Sequence, residues 1–195
     1  MKFKIFKFKS VTSTNDVSID LIKEKKETIG CVLAESQTKG RGTHGKSWIS
    51  DKGNLFSSIF FPLKKNLPSF KEFSIINPIL ISKTIKHYCY NEKINFKFPN
   101  DILINKKKIC GILQEIITLN NEKFLIIGIG INVFLDPNIK NVYKSTNILT
   151  ESKKRVNIDE IFNLIISSYE NFFANIHLYS YENFKKQAYS MNLDN

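Results

Sequence analysis

Between residues 94 and 133 the chain carries four runs of strand-forming residues, at 94–98, 102–104, 109–118 and 124–133, and the spacers between them restrict how they can pair. Asn105-Lys106-Lys107 and Asn120-Asn121 are short and contain asparagine, which tolerates left-handed backbone, so both favour tight turns between antiparallel neighbours. The segment reads as a meander, and the rest of the chain has to pack on it.

Ahead of the meander, residues 29–35 and 53–61 read as two more strands, the second alternating and then continuously apolar. The loop between them, 36–47, is dense in glycine and cations, so strand, loop and strand together make a pocket edge. The first nine residues, Met1-Lys2-Phe3-Lys4-Ile5-Phe6-Lys7-Phe8-Lys9, interleave lysine with apolar side chains. They read as an edge strand and offer no unbroken apolar core of the kind a signal peptide needs.

Helices are expected in between. Ser13 or Thr14 can cap one that runs through Val17, Leu21 and Ile22 on a single stripe. Ser69 and Glu72 have capping-box spacing; beyond them Pro78 either kinks that helix or restarts it behind Asn77, with Ile85, Tyr88 and Cys89 following. Asn157 and Glu160 repeat the cap spacing before Ile158, Ile161, Phe162, Ile165, Tyr169, Phe172 and Phe173, whose steps of three and four predict a core-covering helix. A shorter helix is predicted over 181–188. With no internal repeat or linker, residues 1–195 are expected to form a single domain, a mixed sheet backed by helices.

Composition excludes more than it identifies. No stretch approaches the roughly 18 consecutive apolar residues of a membrane span. Cys31, Cys89 and Cys110, like His44, His87 and His177, are scattered without metal-type spacing, so no metal site is expected and a soluble, reducing, cytoplasmic setting fits best. The net charge of +11 suits a polyanionic partner or a cationic pocket, but Lys, Asn, Ile, Phe and Tyr are all frequent, and most of the surplus reads as solvated surface.

Chemistry concentrates in three places. In Gly40-Arg41-Gly42-Thr43-His44-Gly45-Lys46-Ser47-Trp48, glycines permit close approach while Arg41 and Lys46 supply fixed charge, an arrangement suited to an anion. A plain exposed loop would look similar in isolation. In Lys97-Phe98-Pro99-Asn100-Asp101, a lysine ends an apolar strand and Pro99 fixes the turn after it, aiming the ammonium. Lys106, Lys107 and Lys108 read mostly as a solvated turn. Lys108-Ile109-Cys110-Gly111-Ile112-Leu113 and Gly128-Ile129-Gly130-Ile131-Asn132 are glycine-bearing strands on which a flat ligand could lie against bare backbone. The Gly-x-Gly does not open a helix within a βαβ unit, so a Rossmann reading fails, and no Walker A pattern is present.

Taken in order, Ser13-Thr14-Asn15, Glu35-Ser36-Gln37-Thr38-Lys39-Gly40-Arg41-Gly42, Trp48, Lys97-Phe98-Pro99-Asn100-Asp101, Lys108-Ile109-Cys110-Gly111-Ile112-Leu113 and Gly128-Ile129-Gly130-Ile131-Asn132 resemble the biotin protein ligase family over residues 8–188, with Ser145-Thr146-Asn147-Ile148 a weaker echo. The resemblance implies an α+β fold, a mixed, mainly antiparallel sheet backed by helices, similar to class II aminoacyl-tRNA synthetase cores. It implies an ATP-dependent ligase that makes biotinyl-5'-AMP, with Mg2+ accompanying ATP, and passes biotin to a lysine of the biotin carboxyl carrier protein of acetyl-CoA carboxylase. By the same resemblance Lys97 and Arg41 are the catalytic residues. Ser13, Thr14, Asn15, Gln37, Gly40, Arg41, Gly42, Thr43, Lys97 and Gly111 would contact biotin; Arg41, Trp48, Asn100, Lys108 and Asn132 would contact ATP or the adenylate. A homodimer is compatible with it.

The implied chemistry is physically coherent. Biotin's carboxylate must approach the α-phosphorus, and two like unit charges about 4 Å apart repel by roughly 4 kcal/mol at an effective dielectric near 20, so cations must offset this. The ureido ring needs polar partners when buried, which Ser13, Thr14, Asn15 and Gln37 can supply. Trp48 reads equally as a lid over the adenylate or as core. Two rivals stand beside this reading: a lipoate or octanoate transferase of the wider superfamily, and a non-catalytic basic nucleic-acid-binding module suggested by +11, seven tyrosines and sixteen phenylalanines.

The chain departs from the family pattern in three ways. Phe98 stands where tryptophan is usual. Thr43 and His44 stand where many members have arginines, so less fixed charge clamps the adenylate and faster escape is expected. The chain ends at Asn195, about where a small SH3-like domain begins in many members, and no winged-helix segment precedes Phe8. A DNA-binding repressor role is therefore not expected, and ATP affinity and carrier docking are expected to be weakened.

Overall fold

The computed structural model describes residues 1–137 and 144–192. Strands Lys4–Val11 (β1), Gly30–Gln37 (β2), Leu55–Pro62 (β3), Ile94–Lys97 (β4), Asp101–Ile104 (β5), Lys107–Leu119 (β6) and Glu122–Ile131 (β7) form one seven-stranded sheet in the order β1-β2-β3-β7-β6-β5-β4. The β1–β2 pair is parallel and the other neighbours are antiparallel. The helices are Thr14–Lys23 (α1), Phe70–Tyr88 (α2), Ile148–Ser152 (α3), Ile158–Ala174 (α4) and Tyr181–Ser190 (α5). None of the described helices is long and apolar enough to cross a membrane.

The meander forms as the turn residues dictate. Asn105 and Lys106 have φ of 49° and 64°, and Asn120 and Asn121 have φ of 49° and 62°. Consecutive positive φ values match the twist of the strands they join. The β6–β7 ladder then runs from Cys110 opposite Ile131 to Leu119 opposite Glu122.

That register sorts the sheet into two faces. Leu55, Ile59 and Phe61 of β3, Leu125, Ile127, Ile129 and Ile131 of β7, and Cys110 and Ile112 of β6 belong to the main core, with α2 and α4. Phe61 meets Phe73 of α2 and Phe173 of α4 at ring-centroid distances of 5.4 and 4.9 Å. The predicted α4 stripe is buried from Ile161 to Phe173, and Tyr169 donates its hydroxyl hydrogen to Asn77 Oδ1 at 2.8 Å.

Asn77 is therefore a buried partner inside α2, and no helix restarts behind it. The helix passes through Pro78 unbroken. Proline in a helix interior costs about 3 kcal/mol or more, whereas burying each of Ile76, Ile79, Leu80 and Ile81 contributes roughly 1.5–3 kcal/mol, so packing prevails over the local breaker. The capping box at its start is complete, Ser69 Oγ accepting from Glu72 N and Glu72 Oε2 from Ser69 N.

Val32 of β2, Phe60 of β3, Phe124 and Ile126 of β7 and Ile22 of α1 make a second cluster on the opposite face, with Val17 and Leu21 packed against it. Ser13 occupies the cap position of α1 but makes no side-chain cap bond. Gln37 Oε1 instead accepts from Thr14 N at 2.8 Å, so an orphan amide of the first turn is satisfied from β2. At the far sheet edge, Phe96 N donates to Met191 O at 2.7 Å, so the segment after α5 covers β4. The short α3, capped by Asn147 Oδ1 accepting from Thr150 N, was not expected from periodicity.

Candidate functional site

Helix α1 covers only part of its face of the sheet, and the remainder opens as a cleft of about 790 Å³. Its floor follows from the register. Gly111 of β6 sits directly opposite Gly130 of β7, and Gly128 lies opposite Leu113. With no side chains at these points, other groups lie on the backbone: a Cβ at Gly111 would stand 2.5 Å from Trp48 Cζ3, one at Gly130 2.5 Å from Trp48 Cε2, and one at Gly128 2.5 Å from Asn15 Oδ1. The bare backbone read from the sequence thus carries the chain's own indole and amide.

One end of the cleft is polar. Ser58 Oγ lies 2.7 Å from Thr14 Oγ1 and 2.5 Å from Asn15 Oδ1, and all three residues are buried. Gln37 accepts from Thr14 and donates through Nε2 to Ser50 Oγ at 2.8 Å. The cluster forms because β3 turns Ser58 to this face, between Phe56 and Phe60, directly beneath the first turn of α1.

The glycine-rich loop folds back on itself: Trp48 N donates to Gly40 O at 2.9 Å, Gly42 N to Lys46 O at 2.6 Å, and His44 turns through φ of 55°. Gly40 is buried beneath this return, where a Cβ would run into the Trp48 carbonyl and the Ser50 hydroxyl. The fold-back aims Trp48 at the glycine floor and Arg41 at β6. Arg41 Nη1 and Nη2 donate to Glu115 Oε1 and Oε2 at 2.8 Å each, and Nη2 also donates to Asp16 Oδ1 at 2.7 Å. Burial works against the guanidinium charge, but the bonds and charges of Glu115 and Asp16 outweigh it and raise the Arg41 pKa.

The other end is cationic. Lys97 is exposed at the end of β4, and Lys46, Lys106, Lys108 and Lys144 line the same cleft. Lys108 Nζ lies 2.8 Å from Asp101 Oδ1 and 5.1 Å from the centre of the Trp48 ring. Asn100 Nδ2 donates to Thr43 Oγ1 at 3.3 Å, joining the turn after β4 to the glycine-rich loop. Arg41 and Lys97, 56 positions apart in sequence numbering (97 − 41), therefore border one cavity.

The model of the biotin/lipoate A/B protein ligase family matches residues 6–132. The chain belongs to this family. The match runs from β1 through β7 and includes every cleft residue named above except Lys144. The bifunctional ligase/repressor BirA of Escherichia coli is 32% identical over 125 residues, 63% of this chain and 38% of that protein. Biotin–protein ligase 2 of Arabidopsis thaliana is 30% identical over 179 residues, 84% of this chain and 50% of that protein. The chain thus spans half or less of the length of these two relatives. Among solved structures, biotin protein ligase from Leishmania major in complex with biotinyl-5-AMP superposes with a TM-score of 0.82 at 26% identity, over 97% of this chain and 81% of that one. Biotin protein ligase from Aquifex aeolicus in complex with biotin and ATP gives a TM-score of 0.80 at 26% identity, over 97% and 78%. The mixed, mainly antiparallel sheet is the biotin protein ligase catalytic fold.

For this member of the biotin/lipoate ligase family, the cleft brings together Ser13, Thr14, Asn15, Gln37, Arg41, Gly42, Thr43, Trp48, Lys97, Asn100, Lys108 and Gly111. Gly40 and Asn132 stand outside it. Asn132 is buried and donates to Thr146 O at 3.0 Å, fastening residues 144–146 beside the start of β6. Sequence reading passed over Ser58, Asp16, Glu115 and Lys144, and quoted Asp101 in the block after β4 without giving it a contact. The available signal for Ser58 and Glu115 was a polar residue at a site-facing position of an otherwise apolar strand, which becomes visible only once the register is known.

Among the described residues no three His, Cys, Asp or Glu side chains gather into a metal site. The three cysteines are free and buried. Burial pushes the Cys31 and Cys110 thiols far up and that of Cys89 to about 11, so all three are protonated packing groups and not nucleophiles.

Proposed function

We propose that this chain is the catalytic module of a biotin protein ligase, which activates biotin as biotinyl-5'-AMP and transfers it to a lysine of a biotin carboxyl carrier protein, that of acetyl-CoA carboxylase. The observation that carries this reading is one cleft with a buried hydrogen-bonding cluster at one end, Thr14, Asn15, Gln37 and Ser58, with Arg41 held beside it by Asp16 and Glu115, and the cation Lys97 lining the same cleft. A ureido ring needs such donors and acceptors when desolvated. A plain alkyl acyl group does not, so the cluster favours biotin over a lipoyl or octanoyl substrate.

In the first half-reaction a biotin carboxylate oxygen attacks the α-phosphorus of ATP, forming the mixed anhydride and releasing pyrophosphate. Lys97, exposed at the strand end, offsets the charge that gathers there, and Arg41 acts beside it. Mg2+ enters with the ATP phosphates as part of that substrate, in keeping with a metal that is held by one or two carboxylates and by phosphates. In the second half-reaction the neutral amine of the acceptor lysine attacks the biotinyl carbonyl carbon, the C–O bond to the phosphate breaks, AMP leaves, and the new amide nitrogen gives up one proton to solvent. Trp48, set on the glycine floor beside Lys108, shields this anhydride from water.

The deciding experiment incubates the protein with biotin, Mg-ATP and a biotin carrier domain while pyrophosphate and carrier mass are followed. Biotin-dependent pyrophosphate and a biotinylated carrier are expected. Pyrophosphate without labelling would remove the acceptor assignment, and neither signal would remove the ligase reading.

A further inference from the structure

Of the 29 basic residues only Arg41 and Arg155 are arginine, and the rest are lysine. Lysine serves wherever a solvated surface charge is enough, whereas a planar fork of N–H donors is peculiar to arginine. Arg41 engages its fork on Glu115 and Asp16 in the cleft. Arg155 has no such acid. Among the described residues its guanidinium makes no hydrogen bond or ion pair, and the interaction it does make is with the Phe134 ring, whose centre lies 5.6 Å from Arg155 Cζ.

Arg155 stands on a second groove, of about 890 Å³, which shares no lining residue with the cleft. The groove lies between the C-terminal turn of α2, the segment 152–160 that leads from α3 into α4, and the end of β7. Its floor is apolar: Tyr88, Phe134, Val156 and Ile158 are half-buried and pack against the main core. Its rim is polar and exposed, with His87, Tyr90, Lys154, Arg155 and Asn157. Phe134 is firmly mounted, because its amide donates to Gly53 O and to Asn54 Oδ1 at 3.2 Å each, while Asn54 Oδ1 also accepts from Val133 N at 2.8 Å and Leu135 N at 3.1 Å. The ring therefore steadies the guanidinium and leaves its in-plane N–H groups to a ligand.

Two observations narrow the ligand. Lys154 and Arg155 stand against one lining acid, Glu160, which makes no ion pair with either among the described residues, so the rim keeps an excess of positive charge. A small-molecule pocket buries roughly 70–90% of its ligand; with Tyr90 63% exposed and most of the rim open, this groove encloses no small molecule, but a chain segment can lie along it. An apolar floor inside a polar rim that carries tyrosine and arginine is the make-up of a protein interface. We infer that the groove docks an extended segment of a partner protein in which acidic and aliphatic side chains alternate, a carboxylate being held by the Arg155 fork and the aliphatic neighbour by Tyr88 and Phe134. This goes beyond the ligase reading and does not depend on it.

The test follows the fluorescence anisotropy of a labelled peptide of alternating glutamate and leucine added to the full chain, with a glutamine–leucine peptide as its uncharged counterpart. The acidic peptide is expected to bind, and the uncharged one to bind about tenfold or more weakly, the difference that a charge-assisted hydrogen bond makes. Arg155→Lys keeps the charge and loses the fork, and is expected to weaken the acidic peptide about tenfold while the melting curve and biotin-dependent pyrophosphate release stay unchanged. Phe134→Leu removes the ring that steadies the guanidinium and is expected to weaken the peptide as well. Lys97→Met, in the cleft, is expected to leave peptide binding unaltered. No binding of the acidic peptide, or equal affinity in Arg155→Lys and the unaltered protein, would overturn the inference. Loss of binding in Lys97→Met would place the peptide in the cleft and overturn it too. Displacement by inorganic phosphate as readily as by unlabelled peptide would make the groove a small-anion site and remove the protein partner. A protein that releases no pyrophosphate yet binds the peptide in this pattern would overturn the ligase reading alone.

Discussion

The indole of Trp48 lies on Gly130 so closely that a Cβ there would stand 2.5 Å from both Cε2 and Nε1 of the ring. Since Trp48 is the single tryptophan of the chain, its fluorescence reports this contact. Gly130→Ala is expected to lift the ring from the sheet and shift its emission to longer wavelength. The displaced ring gives up its packing on the sheet, so the melting temperature is expected to fall by at least about 3 °C, the shift that roughly 1 kcal/mol produces in a domain of this size. Unchanged emission would mean that the ring does not rest there.

Lys97 is exposed at the edge of the cleft, so its removal should leave the fold intact. If it stabilises charge at the reacting phosphate, Lys97→Met is expected to slow biotin-dependent pyrophosphate release by about a hundredfold or more, with an unaltered melting curve. Release at the original rate would dismiss Lys97 from the chemistry.

Thr43 accepts a bond of 3.3 Å from Asn100, where a cation could instead reach a phosphate. A charge-assisted hydrogen bond contributes about 1.5–3 kcal/mol, so Thr43→Arg is expected to slow adenylate dissociation about tenfold or more. Equal rates in stopped-flow displacement would remove the argument that this loop clamps its intermediate weakly.

Glu72 joins the start of α2 to Tyr179, accepting from Ser69 N at 2.8 Å and from the Tyr179 hydroxyl at 3.0 Å. Burial opposes its charge, but these bonds prevail and hold its pKa below the ordinary carboxylate value. Its contribution is therefore fully present above the unfolded pKa, near 4.3, and is lost as pH falls through the lowered folded value. Glu72→Gln should cost on the order of 1 kcal/mol near neutrality, the usual worth of a cap, and the difference between the two proteins should shrink in acid denaturation curves below about pH 4. A constant difference across that range would assign the effect to something other than ionisation.

Some of this protein was legible in local pattern. Paired asparagines announced the β6–β7 turn, steps of three and four announced α4, and the capping box at Ser69 announced α2, because each depends on residues within a turn or two of one another. Local rules offered more than burial allowed: of the two readings of Pro78 the restart behind Asn77 does not occur, Asn77 is a core partner for Tyr169, and Ser13 leaves its capping bond to Gln37.

By itself, the sequence determined the strands, the main helices and the set of motifs that marks the family, since turn chemistry, periodicity and short blocks are all written in neighbouring residues. Tertiary structure alone decided which of those residues share a space. Arg41 meets Glu115 across 74 positions and Asn15 meets it across 100. Such pairings depend on strand register and on which sheet face α1 leaves open, and a shift of one residue in register would turn Glu115, Ser58 and the three floor glycines to the opposite face.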